Sequence, residues 1–208
     1  MGISYIKTVS PDAVLGLWHI SEPWQELKTM LDLPAQELAP LKEKKTDRRK
    51  QEWLACRALL QQMTGSQPII NYDINRKPHI KNTDQQISMS HSGEYACVYL
   101  HKTRPVGVDI QQMKPSISKG CDYFLNEDEK RWVTIENNVQ LHLIWSAKES
   151  AFKYAGDMDM DLKKHIITNA FNSNQNSVIQ VSILKGNMTE NILVQSETFD
   201  DYVLTWTI

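Results

Sequence analysis

The 208 residues, 41% of them hydrophobic and 23% charged, carry a net charge of −2. A chain of this length hides roughly 70% of its unfolded surface, enough for one large domain or two small ones with real cores. So even a balance points globally to neither nucleic acid nor a membrane surface, although residues 42–50 (KEKKTDRRK) hold six basic side chains against two acidic ones and residues 186–208 hold four acids and no Lys or Arg.

Residues 3–9 (ISYIKTV) read as a strand. No apolar run follows a basic start in residues 1–10, so no secretory leader is expected. No stretch approaches the ~18 apolar residues of a membrane span. Residues 11–32 carry helical spacing through Val14, Leu17, Trp18, Trp24, Leu27 and Leu31, broken at Pro23. Residues 41–64 give the clearest helix, with Trp53, Leu54, Ala55, Leu59, Leu60 and Met63 on its apolar side and Gly65 as its stop. Strand-like pieces follow: IINYDI and KPHI around Asn75-Arg76, then QISMS and YACVYLH around His91-Ser92-Gly93-Glu94, then RPVGVDIQ at 104–111. Residues 116–136 read as helical with Asn126 as cap, and 138–155 as a helix ended by Gly156. Strands return at 165–171, 177–184, 191–196 and 202–208. The order strand, helices, strands thus occurs twice, which suggests two α+β halves meeting near residues 104–106.

Cys56, Cys97 and Cys121 are far apart, with neither CxxC spacing nor a His in a zinc-like register. They read as reduced packing residues of a cytosolic protein. P-loop, GxGxxG, GxSxG and HExxH motifs are absent. The basic run lacks the interleaved aromatics of a single-strand nucleic-acid binder.

Four constellations remain. In PVGVDIQ, alternation sends Val106, Val108 and Ile110 to one face and Gly107, Asp109 and Gln111 to the other. A mid-strand aspartate needs a partner, either a neighbouring loop or a divalent cation, and Gly107 would leave space beside it for a bulky ligand. Glu149 and Lys153 share a helical face with Ser146, as a surface ion pair or as part of a site, while Trp145 and Phe152 would hold that helix to a core. His91, within Ser90-His91-Ser92-Gly93, is either a turn histidine or a phosphate donor. Arg49 and Arg57, eight residues apart on the basic helix, are offset by about 80° beyond two turns and converge only on an extended ligand. Arg76-Lys77-Pro78 adds two cations at a turn.

Together these residues resemble one family, the 4′-phosphopantetheinyl transferases, in its longer, two-lobed form. One signature is carried by Val106-Gly107-Val108-Asp109. The other is carried by Trp145-Ser146-Ala147-Lys148-Glu149-Ser150-Ala151-Phe152-Lys153, which starts 36 residues after Asp109. Arg49, Arg57, Lys77-Pro78 and Ser90-His91-Ser92 add further matches. The resemblance implies an α+β, pseudo-duplicated two-lobed fold, each lobe a small antiparallel sheet packed with helices, with the site at the lobe interface. An N-terminal lobe at 1–104 would contact the nucleotide of coenzyme A, and a C-terminal lobe at 105–208 would carry the metal and catalytic residues.

The implied reaction moves the 4′-phosphopantetheine arm of coenzyme A to a serine of an apo acyl or peptidyl carrier protein and releases adenosine 3′,5′-bisphosphate. Asp109 and Glu149 would hold Mg²⁺, Lys153 would neutralise phosphate charge, and Glu149 could take the serine proton. Arg49, Arg57, Arg76, Lys77, Ser90, His91 and Lys153 would bind coenzyme A. Many members have a second acid two residues after the aspartate; here it is Gln111. That departure keeps open a homologue that binds coenzyme A or a carrier without turnover. A cytoplasmic monomer with no nucleic-acid or membrane partner is expected.

Overall fold

In the computed structural model, which describes residues 2–173 and 176–208, β1 (Ile3–Ser10) and β2 (Ala13–His19) form a hairpin about Pro11-Asp12. The helical spacing expected from residue 11 is not realised over β2. This strand lies between β1 and β6 (Tyr95–His101) and is largely covered on both faces. Such a strand shows a nearly unbroken apolar run, which periodicity cannot distinguish from a buried helix. Helix formation waits until α1 (Trp24–Thr29), just past Pro23.

The helix expected over 41–64 divides in two. After α2 (Ala35–Lys42), the chain restarts as α3 (Asp47–Thr64), where the Thr46 side chain accepts from the Arg49 N–H. Gly65 ends α3 with φ 71°, a left-handed conformation that glycine adopts without strain. Next come β3 (Ile70–Tyr72), β4 (Pro78–Ile80), β5 (Gln86–Ser92) and β6. The six strands are antiparallel in the order β1-β2-β6-β5-β4-β3. Leu54, Leu59 and Leu60 of α3 join Trp18, Val98 and Leu100 in the core of this unit, Met1–Pro105.

The second unit, Val106–Ile208, begins with β7 (Val108–Gln112). Residues 116–136, expected to be α-helical, instead hold two 3-10 stretches, Pro115–Tyr123 and Glu129–Arg131. Asn126 and Glu129 do cap one another, each side chain accepting from the other's backbone N–H at 2.9 and 2.8 Å. The Glu129 carboxylate is also drawn inward by Lys148 and Thr168, which holds the segment to a single turn. Helix α4 (Asn138–Ala155) forms as its pattern indicates, capped by Asn137 and ended by Gly156 at φ 64°. Then β8 (Ile166–Thr168), β9 (Val178–Lys185), β10 (Met188–Phe199) and β11 (Tyr202–Thr207) complete an antiparallel sheet, β7-β11-β10-β9-β8.

α4 touches all five of these strands. Leu143, Ala147 and Ala151 face one apolar cluster, while Leu141 and Ile144 face another, where Trp145 meets Phe124 edge-on. Each unit is thus an antiparallel sheet carrying one 18-residue helix, capped by a side-chain oxygen and ended by a left-handed glycine. This is the α+β plan that the two-lobed expectation required. No helix among the described residues is long and apolar enough to cross a membrane. Cys56 and Cys97 are buried and Cys121 is partly exposed, and none of the three is in a disulfide.

Candidate functional site

In the second unit, Asp109 sits in mid-strand on β7, paired with Thr205 of β11 and only 2% exposed. A carboxylate this deep is stable only if its oxygens are engaged. Oδ1 accepts from Lys153 Nζ at 2.8 Å; Oδ2 accepts from Ser146 Oγ and from Gln111 Nε2, each at 3.0 Å. Lys153 also donates to the Val108 carbonyl at 3.0 Å. Ser146 and Lys153 lie 37 and 44 residues from Asp109 along the chain, so they meet it only through the packing of α4 on the sheet.

Ser146, Glu149, Ser150 and Lys153 fall on one side of α4 because helical neighbours recur every three or four residues. Thr205 fixes that side to the sheet. Its hydroxyl donates to the Ser146 carbonyl at 2.8 Å and lies 2.7 Å from Ser150 Oγ, while Ser150 donates to the Thr205 carbonyl at 3.0 Å. Glu149, half-buried on this side, has its carboxyl pushed up from 4.5 to about 7. Burial is the main cause, the negative charge of Asp109 adds to it, and the Lys153 ammonium opposes it.

Gly107 has a different role from the one its position suggested. The space beside it is not open to a ligand: a Cβ there would lie 1.8 Å from the Ser150 carbonyl oxygen and 2.8 Å from the Tyr154 nitrogen, both α4 backbone. The missing side chain lets helix and strand touch. Gly107→Ala should therefore cost about 3 kcal/mol or more, because backbone cannot move aside as a flexible side chain can. Denaturant unfolding of the variant, with a midpoint no lower than the parent's, would remove this explanation.

Lys148, adjacent in sequence to Glu149, turns to the opposite purpose. It is fully buried and donates to the Phe124 carbonyl at 2.6 Å, to Glu129 Oε2 at 2.7 Å and to the Leu162 carbonyl at 3.0 Å. Burial pushes its pKa down and the Glu129 charge opposes that shift. Glu129 Oε1 accepts in turn from the backbone N–H and the hydroxyl of Thr168 at 2.8 and 2.7 Å. This network anchors α4 from behind the face that carries Glu149.

The cationic residues of the first unit separate into three places. Arg49 and His91 come together on Glu52, at 2.9 and 3.4 Å from its Oε2. Ser90 precedes His91 on β5 and is buried, whereas His91 is part-exposed, as strand alternation requires. Arg57 is 2% exposed and faces inward: its Nε and Nη2 both lie 3.2 Å from Glu37 Oε2, and its guanidinium stacks 3.8 Å above the Trp53 ring. Glu37 Oε1 accepts from the Ile70 N–H at 3.0 Å, so this pair joins α2, α3 and β3. Arg76 and Lys77 lie on the β3–β4 hairpin. Asp73 accepts there from the Lys77 N–H at 2.8 Å, and Arg76 takes φ 59°.

Glu52, Thr205 and Glu129 were not singled out from sequence. Glu52 carries a local signal, an acid three and four residues after two arginines, and so does Glu129, three residues after the cap Asn126; Thr205 has none. The donors that could hold a metal are the Asp109 and Glu149 carboxylates. Among the described residues, no group of three or more His, Cys, Asp or Glu is placed to do so. The pair nonetheless suits Mg²⁺, which takes few protein carboxylates and completes its shell with phosphate oxygens and water. Burial raises the Glu149 carboxyl most, and the Asp109 charge that adds to it is the part a cation between the two would relieve.

No curated protein matches the chain. Residues 105–207 match the family model described as the 4′-phosphopantetheinyl transferase superfamily. The match spans the second unit almost end to end and includes Asp109, Ser146, Glu149 and Lys153, and residues 105–207 are a domain of the 4′-phosphopantetheinyl transferase superfamily.

Proposed function

We propose that this protein transfers the 4′-phosphopantetheine arm of coenzyme A to a serine hydroxyl of an apo acyl or peptidyl carrier protein. The new bond joins the serine oxygen to the phosphorus bearing the pantetheine. The pyrophosphate P–O bond breaks, and adenosine 3′,5′-bisphosphate leaves with the electron pair. The observation that carries this reading is the Asp109, Glu149 and Lys153 constellation inside a matched superfamily domain.

In this reading Glu149 takes the serine proton, directly or through a metal-bound water. Lys153, held against Asp109 at 2.8 Å, supplies a fixed positive charge for the phosphates as negative charge shifts to the leaving group. Asp109 and Glu149 would hold Mg²⁺, which when bound supplies charge neutralisation of the pyrophosphate. From the first unit, Arg49, His91, Ser90, Arg76 and Lys77 would meet coenzyme A, while Arg57 would support them through Glu37. The exposed basic side chains within residues 42–50 suit an acidic carrier. The protein would act as a cytoplasmic monomer.

Incubation with a fluorescent coenzyme A analogue, MgCl₂ and several apo carriers should give covalently labelled carrier. A protein that binds coenzyme A yet labels none of them is instead the non-catalytic binder, a reading that Gln111, donating to Asp109 where other members have an acid, would then explain. Absence of both binding and labelling would end the transferase reading.

A further inference from the structure

Glu52 of the first unit is 7% exposed amid a basic run, and no step of the reaction above uses it. A carboxylate at that depth requires partners. Oε1 lies 3.3 Å from Arg48 Nε, and Oε2 lies 2.9 Å from Arg49 Nη1 and 3.4 Å from His91 Nδ1. The arginines are local, four and three residues earlier on α3, where such pairs form readily. His91 is not local: it arrives from β5, so one oxygen holds together a helix residue and a strand residue.

Two consequences follow from elementary chemistry. A carboxylate only accepts, so its approach to 3.4 Å favours a proton on Nδ1, and Glu52 thereby biases both the orientation of the imidazole and its proton-bearing nitrogen. The Arg49 side chain is 64% exposed and would otherwise range over many rotamers; pinned to Glu52, it gives up that freedom before any ligand arrives. Two guanidiniums against one carboxylate still leave the cluster net positive, as an anion requires.

We propose that Glu52 is a positioning residue for coenzyme A, arranging Arg49 and His91 for the phosphate group that they receive. This deepens the transferase reading and rests on it. Glu52 touches no substrate; it acts through the two residues that do.

The test is steady-state transfer with coenzyme A varied, alongside calorimetric coenzyme A binding, for the parent, Glu52→Gln, His91→Ala and the double variant. Glu52→Gln should raise the KM for coenzyme A about tenfold with kcat within about twofold, the pattern of lost uniform binding. The KM for the carrier should not move. In the His91→Ala background part of the Glu52→Gln effect should vanish, since one of the two residues that Glu52 arranges is gone, while the part carried by Arg49 remains. Glu52→Asp keeps the charge beside the arginines but draws it back from His91, and should give an intermediate KM.

Additive effects, a fall in kcat at parental KM, or a parental KM in Glu52→Gln overturns the proposal. If melting curves show that Glu52→Gln does not fold, Glu52→Asp decides, and a parental KM there overturns it equally. A parent protein that neither binds nor transfers coenzyme A overturns the transferase reading itself. A parent that does both, with Glu52→Gln indistinguishable from it, overturns only the role of Glu52.

Discussion

Glu149→Gln should cut carrier labelling by about a thousandfold or more while making the protein more stable at pH 8. The loss of activity follows from removing a base, worth about 10²–10⁴ in rate, together with one of the two carboxylates proposed to hold Mg²⁺. The gain in stability follows from linkage. The folded Glu149 carboxyl sits at about 7, above its ordinary 4.5. Between those values the folded protein keeps a proton that the unfolded chain has released, so stability is fully present near pH 4.5 and declines as pH rises through 7. At about 1.4 kcal/mol per unit, less screening by solvent, the decline amounts to about 2–3 kcal/mol by pH 8.

A glutamine is neutral throughout and avoids that decline. Melting temperatures should therefore favour the variant by several degrees at pH 8 and converge near pH 5. Millimolar MgCl₂ should raise the melting temperature of the parent at pH 8, because a cation bound only to the folded state stabilises it, and should leave the variant unmoved. Equal responses to MgCl₂ in the two proteins would show that Glu149 is not a metal ligand.

The second large effect concerns stability alone. Lys148→Met should destabilise the protein by about 3–5 kcal/mol, the usual cost of leaving one member of a buried ion pair without its counter-charge. The methionine fills similar space, so the penalty comes from lost polar partners: the Phe124 and Leu162 carbonyls lose a donor, and Glu129, 1% exposed, is left with only Asn126 and Thr168. Adding Glu129→Gln removes the Glu129 charge while the amide oxygen still accepts from Thr168. The double variant should recover a substantial part of the loss in urea unfolding. A double variant no more stable than Lys148→Met would trace the cost to packing and the two carbonyls rather than to the Glu129 charge.

What could be read in the sequence was local. Helix α4 was legible because its 3.6-residue periodicity and a terminal Gly156 lie within one window. The Glu149–Lys153 face was visible for the same reason. β2 was misread because a strand covered on both sides loses the alternation that identifies strands. Gly107 was misread because its neighbour in space, the Ser150 carbonyl, is 43 positions away. Thr205, which secures Ser146 and Ser150, lies 59 and 55 residues from them and has no local signature. Lys148 and Glu149 are adjacent charged residues in sequence, yet only the fold reveals that one faces inward to Glu129 and the other toward Asp109. Arg49 and Arg57 share one helix but not one task, and that division was set by Glu52 and Glu37.

The contact at Gly107 separates mutational sensitivity from chemistry. With the Ser150 carbonyl seated against Gly107, at the entry to the strand that carries Asp109, the two stretches should open together, and their amides should exchange through one shared opening. In a saturation screen for surviving function, position 107 would score as harshly as position 109. Position 107 would do so because of the room it vacates, position 109 because of the metal that the proposed reaction assigns to it.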